Sequence, residues 1–151
     1  MKRFLPSLFV ILIAASSSAF AAEGLISLKS QLSAKETMNR FEETAKQRGL
    51  IIFARIDHAA GAAKVGKTLR ATEVLIFGNP MGGTPLMECA QSAGIDLPLK
   101  ALVWEDAQGQ VWLGYNDPAY LAKRHGAADC PAVTPLTKAL AGLADATLAS
   151  R

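Results

Sequence analysis

Residues 100–115 read KALVWEDAQGQVWLGY. Two apolar, β-branched and aromatic runs, Lys100 to Glu105 and Val111 to Tyr115, flank a turn from Asp106 to Gly109 with its glycine late in the loop. That is a hairpin signal, and it makes at least one strand pair antiparallel. Trp104 and Trp112 straddle the turn as expected core or interface anchors.

Upstream of the hairpin, Glu73 to Phe77 reads as a third strand that runs into Gly78, Asn79, Pro80, Met81, Gly82 and Gly83. Thr84 and Pro85 look like an N-cap and a first-turn proline, opening a helix to about Ala90, and Gly94 to Pro98 ends that unit. Leu50 to Ile56 is a short apolar run and reads as a buried strand ending at Asp57 and His58. A small-residue stretch, Ala59 to Val65, suggests a short helix weakened by Gly61. Ser33 and Glu36 have capping-box spacing, and Ala34, Met38, Phe41 and Ala45 follow at helical intervals. With Gly49 as the left-handed stop, this predicts a helix over 33–48. Gly24 to Lys29 is the expected first strand.

Downstream, Asp117 and Pro118 cap a short helix to about Arg124, stopped by Gly126. Thr134 and Pro135 are expected to open a last helix whose Leu136, Leu140, Leu143 and Leu148 share one face. Neither an internal repeat nor an interdomain linker interrupts the order. The reading is a single α+β domain over 22–151, mainly an antiparallel sheet packed by helices.

Met1 to Ala21 has a different character. Lys2 and Arg3 precede an apolar run from Phe4 to Ala15, and Ala19, Phe20 and Ala21 give a small-x-small end. This pattern predicts a signal peptide over 1–21, cleaved before Ala22, and a periplasmic location. The run is about 12 residues, short of the roughly 20 that span a bilayer, so no membrane span is expected after cleavage. Sixteen basic residues against thirteen acidic give +3; without Lys2 and Arg3 the balance is +1. So small a charge, with no basic stripe, argues against a nucleic-acid partner.

Export also gives meaning to Cys89 and Cys130, which lie 41 positions apart and outside any C-x-x-C pair. An oxidising compartment favours one structural disulfide between them, stabilising by roughly 4 kcal/mol on chain-entropy grounds. The alternative is two unlinked thiols, with Cys89 a small core residue.

Chemistry-bearing residues are few. Asp57 beside His58 at a strand end offers a carboxylate and an imidazole, for acid/base work or as metal ligands. Neighbours in a strand face opposite ways, however, so Asp57 as a helix cap with His58 exposed is the plainer expectation. The glycines from Gly78 to Gly83, leading into Thr84, could present backbone N–H groups to an anion, but they lack Walker and G-x-G-x-x-G spacing and fit a tight turn better. His125 follows Lys123 and Arg124 near a helix end, where cations suit the dipole. The two histidines form no zinc motif, and no G-x-S-x-G elbow occurs in the mature segment. Neither a metal site nor a cofactor is implied.

Together these segments carry a resemblance. Ile56 to His58, Phe77 to Pro80 with Gly83 to Met87, Leu97, Pro98 and Lys100, Val103 to Asp106, and Tyr115 to Pro118 occur in the order of the family called domain of unknown function 302. The chain is similar to it over roughly residues 49–125. The resemblance implies a small α+β domain, a tendency to dimerise and no established activity. Its signature positions fall here on Asp57, His58, Asn79, Pro80, Gly83, Thr84 and Tyr115. The first expectation is therefore an exported homodimeric module binding a small ligand or an envelope partner, with Asp57, His58, Asn79, Gly83, Thr84 and Tyr115 lining its site. The second is an enzyme using His58 as acid/base with Asp57 or Tyr115, in a site where His58 and Tyr115 reach a common point. A third is metal or redox sensing through His58, His125 and the two cysteines.

Overall fold

The computed structural model describes residues 22–149; the expected signal segment lies outside them. Five strands, β1 (Leu25–Ser30), β2 (Ile51–Asp57), β3 (Thr72–Gly78), β4 (Leu99–Glu105) and β5 (Val111–Asn116), form one sheet in the order β1-β5-β4-β3-β2. Every neighbouring pair is antiparallel. The helices are α1 (Ala34–Gln47), α2 (His58–Lys64), α3 (Pro80–Cys89), α4 (Pro118–Arg124) and α5 (Val133–Leu148), with a 3-10 turn at Gln91–Ile95. The chain is thus a single-domain α+β protein.

The capping box of α1 forms as its sequence predicts: the Ser33 hydroxyl accepts from the Glu36 N–H at 3.3 Å, and Glu36 Oε2 accepts from the Ser33 N–H at 3.2 Å. The buried face of α1, Met38, Phe41 and Ala45, packs with Leu140, Leu143 and Ala144 of α5 against one side of the sheet. Strand alternation supplies Leu75, Phe77, Ala101, Val103, Leu113 and Tyr115 to the same core. Phe41 and Phe77 meet edge to face at 5.2 Å. Each such fully buried large side chain stabilises by about 1.5–3 kcal/mol. Arg55 ties α1 to the sheet, bonding Glu73 with two nitrogens at 2.5 and 2.9 Å and sharing Nη1 between Asn39 and Glu42. A second cluster around Leu86, Ala93, Ala122 and Val133 joins α3, α4 and α5, and there the Cys89–Cys130 disulfide lies with its Cα atoms 6.0 Å apart.

At the hairpin, Asp106 Oδ1 accepts from the N–H groups of Gln108 and Gln110, while Oδ2 accepts from the Trp112 indole. The indole bond leads the causes that hold the Asp106 carboxyl below its usual range. Trp104 and Trp112 stack at 6.2 Å on the face away from α1 and α5, half-buried rather than core.

Three local expectations need correcting. The third helix does not open at Thr84 and Pro85: Asn79 Oδ1 accepts from the Met81 N–H at 2.9 Å, so Asn79 is the cap and Pro80 the first-turn proline. The glycine run is therefore helix, and Pro85 sits inside it. In the last helix, Thr134 and Pro135 lie within the first turn; Ala132 precedes it and makes no side-chain cap bond. Finally, β2 is not buried. It forms an edge of the sheet and carries a bulge between Ile52 and Ala54, leaving Ile51, Phe53 and Ile56 exposed.

Candidate functional site

The helix that Asn79 caps begins directly where β3 ends, so α3 is laid across one end of the sheet. Between α3, the 3-10 turn with the segment to Leu99, the bulged end of β2 and the Leu136-to-Leu143 face of α5 lies a cleft of about 450 Å³. That is within the size range of small-molecule sites. Its walls are overwhelmingly apolar: Leu50, Phe53, Phe77, Met87, Leu97 and Leu140 among them. Glycines border it, where an added Cβ would stand in ordinary contact with the opposite wall. A Cβ on Gly78 would be 3.6 Å from Pro98 and 3.9 Å from the Phe53 ring, and one on Gly83 would be 3.5 Å from Leu97. The bulge matters because it brings Phe53 to the cleft wall rather than into the main core. Arg48, the C-cap of α1, is the one charged residue among those lining the cleft.

The six residues singled out by sequence fall in three regions. Asn79, Gly83 and Thr84 line the cleft. Asp57, His58 and Tyr115 do not. Asp57 pairs with Glu73 at the other end of β3 from Gly78, roughly 16 Å along the strand. Its Oδ1 accepts from the Ala60 N–H at 2.8 Å, capping α2, and His58 is exposed as the first residue of that helix. Tyr115 is in β5, three strands and roughly 14 Å of backbone from β2, with its ring in the core against the helices. Burial, followed by Asp145 and Asp117, raises the Tyr115 phenol above its ordinary value and keeps it protonated. Nor does Thr84 offer a free N–H: it lies in the second turn of α3, and the first-turn donors of Met81, Gly82 and Gly83 all go to Asn79.

A second arrangement was not legible in the sequence. His125 Nε2 is 2.7 Å from Asp96 Oδ2, and His125 Nδ1 is 2.9 Å from Ser92 Oγ. Arg124 Nη1 bonds both Asp96 oxygens at 3.0 and 3.2 Å. Hydroxyl, imidazole and carboxylate thus form a chain, but Ser92 is not among the residues lining the cleft. What the chain does is fasten the 3-10 turn to the end of α4, close to the disulfide that fastens α3. Spacing could not reveal it, because 33 positions separate Ser92 from His125. Among the described residues, no three His, Cys, Asp or Glu side chains gather as a metal site would require.

Comparison with known proteins gives a consistent picture. A family model described as domain of unknown function DUF302 matches residues 26–146. Two proteins named fluoride-specific ion channel FluC 1, from Brucella suis biovar 1 (strain 1330) and Brucella abortus biovar 1 (strain 9-941), are 50% identical to the chain over 102 residues. The match covers 68% of this chain but only 40% and 38% of those proteins, so the chain spans about two fifths of the curated relatives it matches. No helix of the described residues is long and apolar enough to cross a membrane. A crystal structure of an uncharacterized conserved DUF302 protein from Bacillus stearothermophilus superposes with a TM-score of 0.67 at 21% identity, covering 84% of this chain and 97% of that one. At that identity the likeness is one of fold.

Proposed function

The chain belongs to the family described as domain of unknown function DUF302, and from that premise we propose that it is an exported, non-enzymatic binding module. It acts as a homodimer in the periplasm and holds a small ligand in the apolar cleft, for storage or for delivery to an envelope partner. The cleft itself carries this reading: about 450 Å³ of apolar-walled space bordered by Gly78 and Gly83. An acid/base reading has less support, since Asp57 and His58 share no point with Tyr115. The dimer reading draws on the outer face of the sheet. There Val74, Ile76, Leu102, Trp104 and Trp112 are only half-buried, where a solvated sheet face would alternate to polar residues. The Brucella relatives, which carry a similar segment as part of proteins named as fluoride channels, support a membrane protein as the envelope partner.

Equilibrium titration with an apolar fluorescent dye tests the cleft. The protein binds it, and Gly83→Leu, whose side chain grows into the space beside Leu97, abolishes binding while the fold persists by circular dichroism. Undiminished binding in that variant overturns the assignment. Light scattering tests the dimer: twice the chain mass for the wild type and the single mass for Leu102→Glu, whereas a wild-type monomer at all concentrations refutes it. An intact mass beginning at Ala22 supports export; a protein retaining Met1 in the cytoplasm contradicts it.

A further inference from the structure

The charge at the cleft mouth narrows the ligand class. Arg48 Nη2 donates to the Gly142 carbonyl of α5 at 2.9 Å, and a Cβ on Gly142 would come within 3.4 Å of Nη1. The missing side chain at Gly142 therefore lets the guanidinium lie close on α5, bridging it to the C-terminus of α1. Among the described residues neither Nη1 nor Nε of Arg48 has a hydrogen-bond partner. The cleft offers a ligand cation nothing to pair with, because no carboxylate lines it. Its neutral polar side-chain groups are two, the Thr84 hydroxyl and the Asn79 amide, whose Oδ1 is engaged by the Met81 N–H and whose Nδ2 can only donate, which again suits an oxyanion. A planar guanidinium with free donors matches a carboxylate or a similar oxyanion.

We infer that the cleft takes a single-chain amphiphile with one anionic end, its apolar chain between α3, Phe53 and α5 and its head group on Arg48. The inference rests on the cleft being the ligand site proposed above. The walls select for an apolar body of small-molecule size; the lone cation selects the sign of the head.

Three monomeric probes with the same chain separate the two levels: decanoate, decanol and decyltrimethylammonium, each titrated calorimetrically below its micellar concentration. Decanoate binds about tenfold tighter than decanol, a modest factor because Arg48 is exposed, and decyltrimethylammonium binds weakest. Arg48→Gln brings decanoate down to the decanol level, Arg48→Lys retains part of the preference, and added salt weakens decanoate selectively. Thermal midpoints of both variants separate loss of the bridge to Gly142 from loss of the head-group contact. If the three probes bind alike, or Arg48→Gln leaves decanoate unchanged, the head-group assignment fails while the cleft stands. If none binds, and Gly83→Leu is indistinguishable from the wild type, both readings fall. Anionic vesicles free of carboxylate amphiphiles form the last arm; binding to them as tight as to decanoate, and independent of Gly83→Leu, overturns the inference in favour of a membrane surface.

Discussion

Substituting Gly114 by alanine tests how the sheet accommodates its two tryptophans. A Cβ at position 114 would stand 2.7 Å from Trp104 Cζ3, 3.1 Å from Cη2 and 3.2 Å from the Ile26 carbonyl oxygen. Ordinary contact begins near 3.4 Å, so the indole must retreat by about 0.7 Å and the β1 backbone by a few tenths. Overpacking of this kind costs about 1–3 kcal/mol, or about 2–12 °C in Tm at 2–4 °C per kcal/mol. Because the displaced ring stacks on Trp112, the near-ultraviolet circular dichroism of the pair changes as well. The decisive assay is a double-mutant cycle by urea unfolding with Trp104→Ala. With the indole removed, Gly114→Ala becomes nearly neutral, since only the Ile26 contact remains and alanine restricts the unfolded chain. An equal cost in both backgrounds refutes the reasoning and shifts the cause to the β1–β5 backbone.

Three further perturbations probe separate parts of the molecule. Cys130→Ser, which opens the 41-residue link to Cys89, lowers unfolding stability by about 2–4 kcal/mol; a wild type whose intact mass is unchanged by reduction under denaturing conditions contradicts the link. Lys46 and then Arg55 hold the Glu42 carboxyl below its ordinary 4.5. A depressed folded value stabilises above the unfolded one and is lost as pH falls through the folded one. The stability gap between wild type and Glu42→Gln therefore closes as pH drops below about 4.5, and a gap that persists at pH 2 rules this out. Gly61→Ala, mid-helix in α2 with open space around its Cβ, raises stability by up to about 1 kcal/mol; a lower urea midpoint shows that the glycine is needed for another reason.

Local chemistry was legible where one short segment contained its own partners and offered a single reading. The capping box at Ser33 and Glu36, the turn at Asp106 and the cap at Asp117 each close within four residues, and their elements appear close to the expected limits. The α3 start was misread because two proline signals compete: Asn79 with Pro80 and Thr84 with Pro85 both look like openings, and the side-chain bond from Asn79 decides between them. The apolar run from Leu50 to Ile56 carries no sign of its edge position, since burial there depends on which strands lie alongside. The run from Gly78 to Gly83, expected as a tight turn, lines the cleft largely as helix, and the N–H groups of Gly82 and Gly83 go to the Asn79 carbonyl. Phe53, Met87 and Leu140 meet across the cleft from three distant segments, which no spacing rule reaches.

The strand order carries a kinetic consequence. From β2 to β5 each strand pairs with the next in sequence, but β1 must wait for β5: Leu25 aligns with Asn116, 91 positions later. A chain emerging N-terminus first presents β1 long before β5, its neighbour in the sheet, exists, and the loop to be closed slows that pairing. The first strand is therefore the last of the five to join the sheet, and until it does β5 has an unpaired edge. Completion of the sheet is timed by its most distant strand pair.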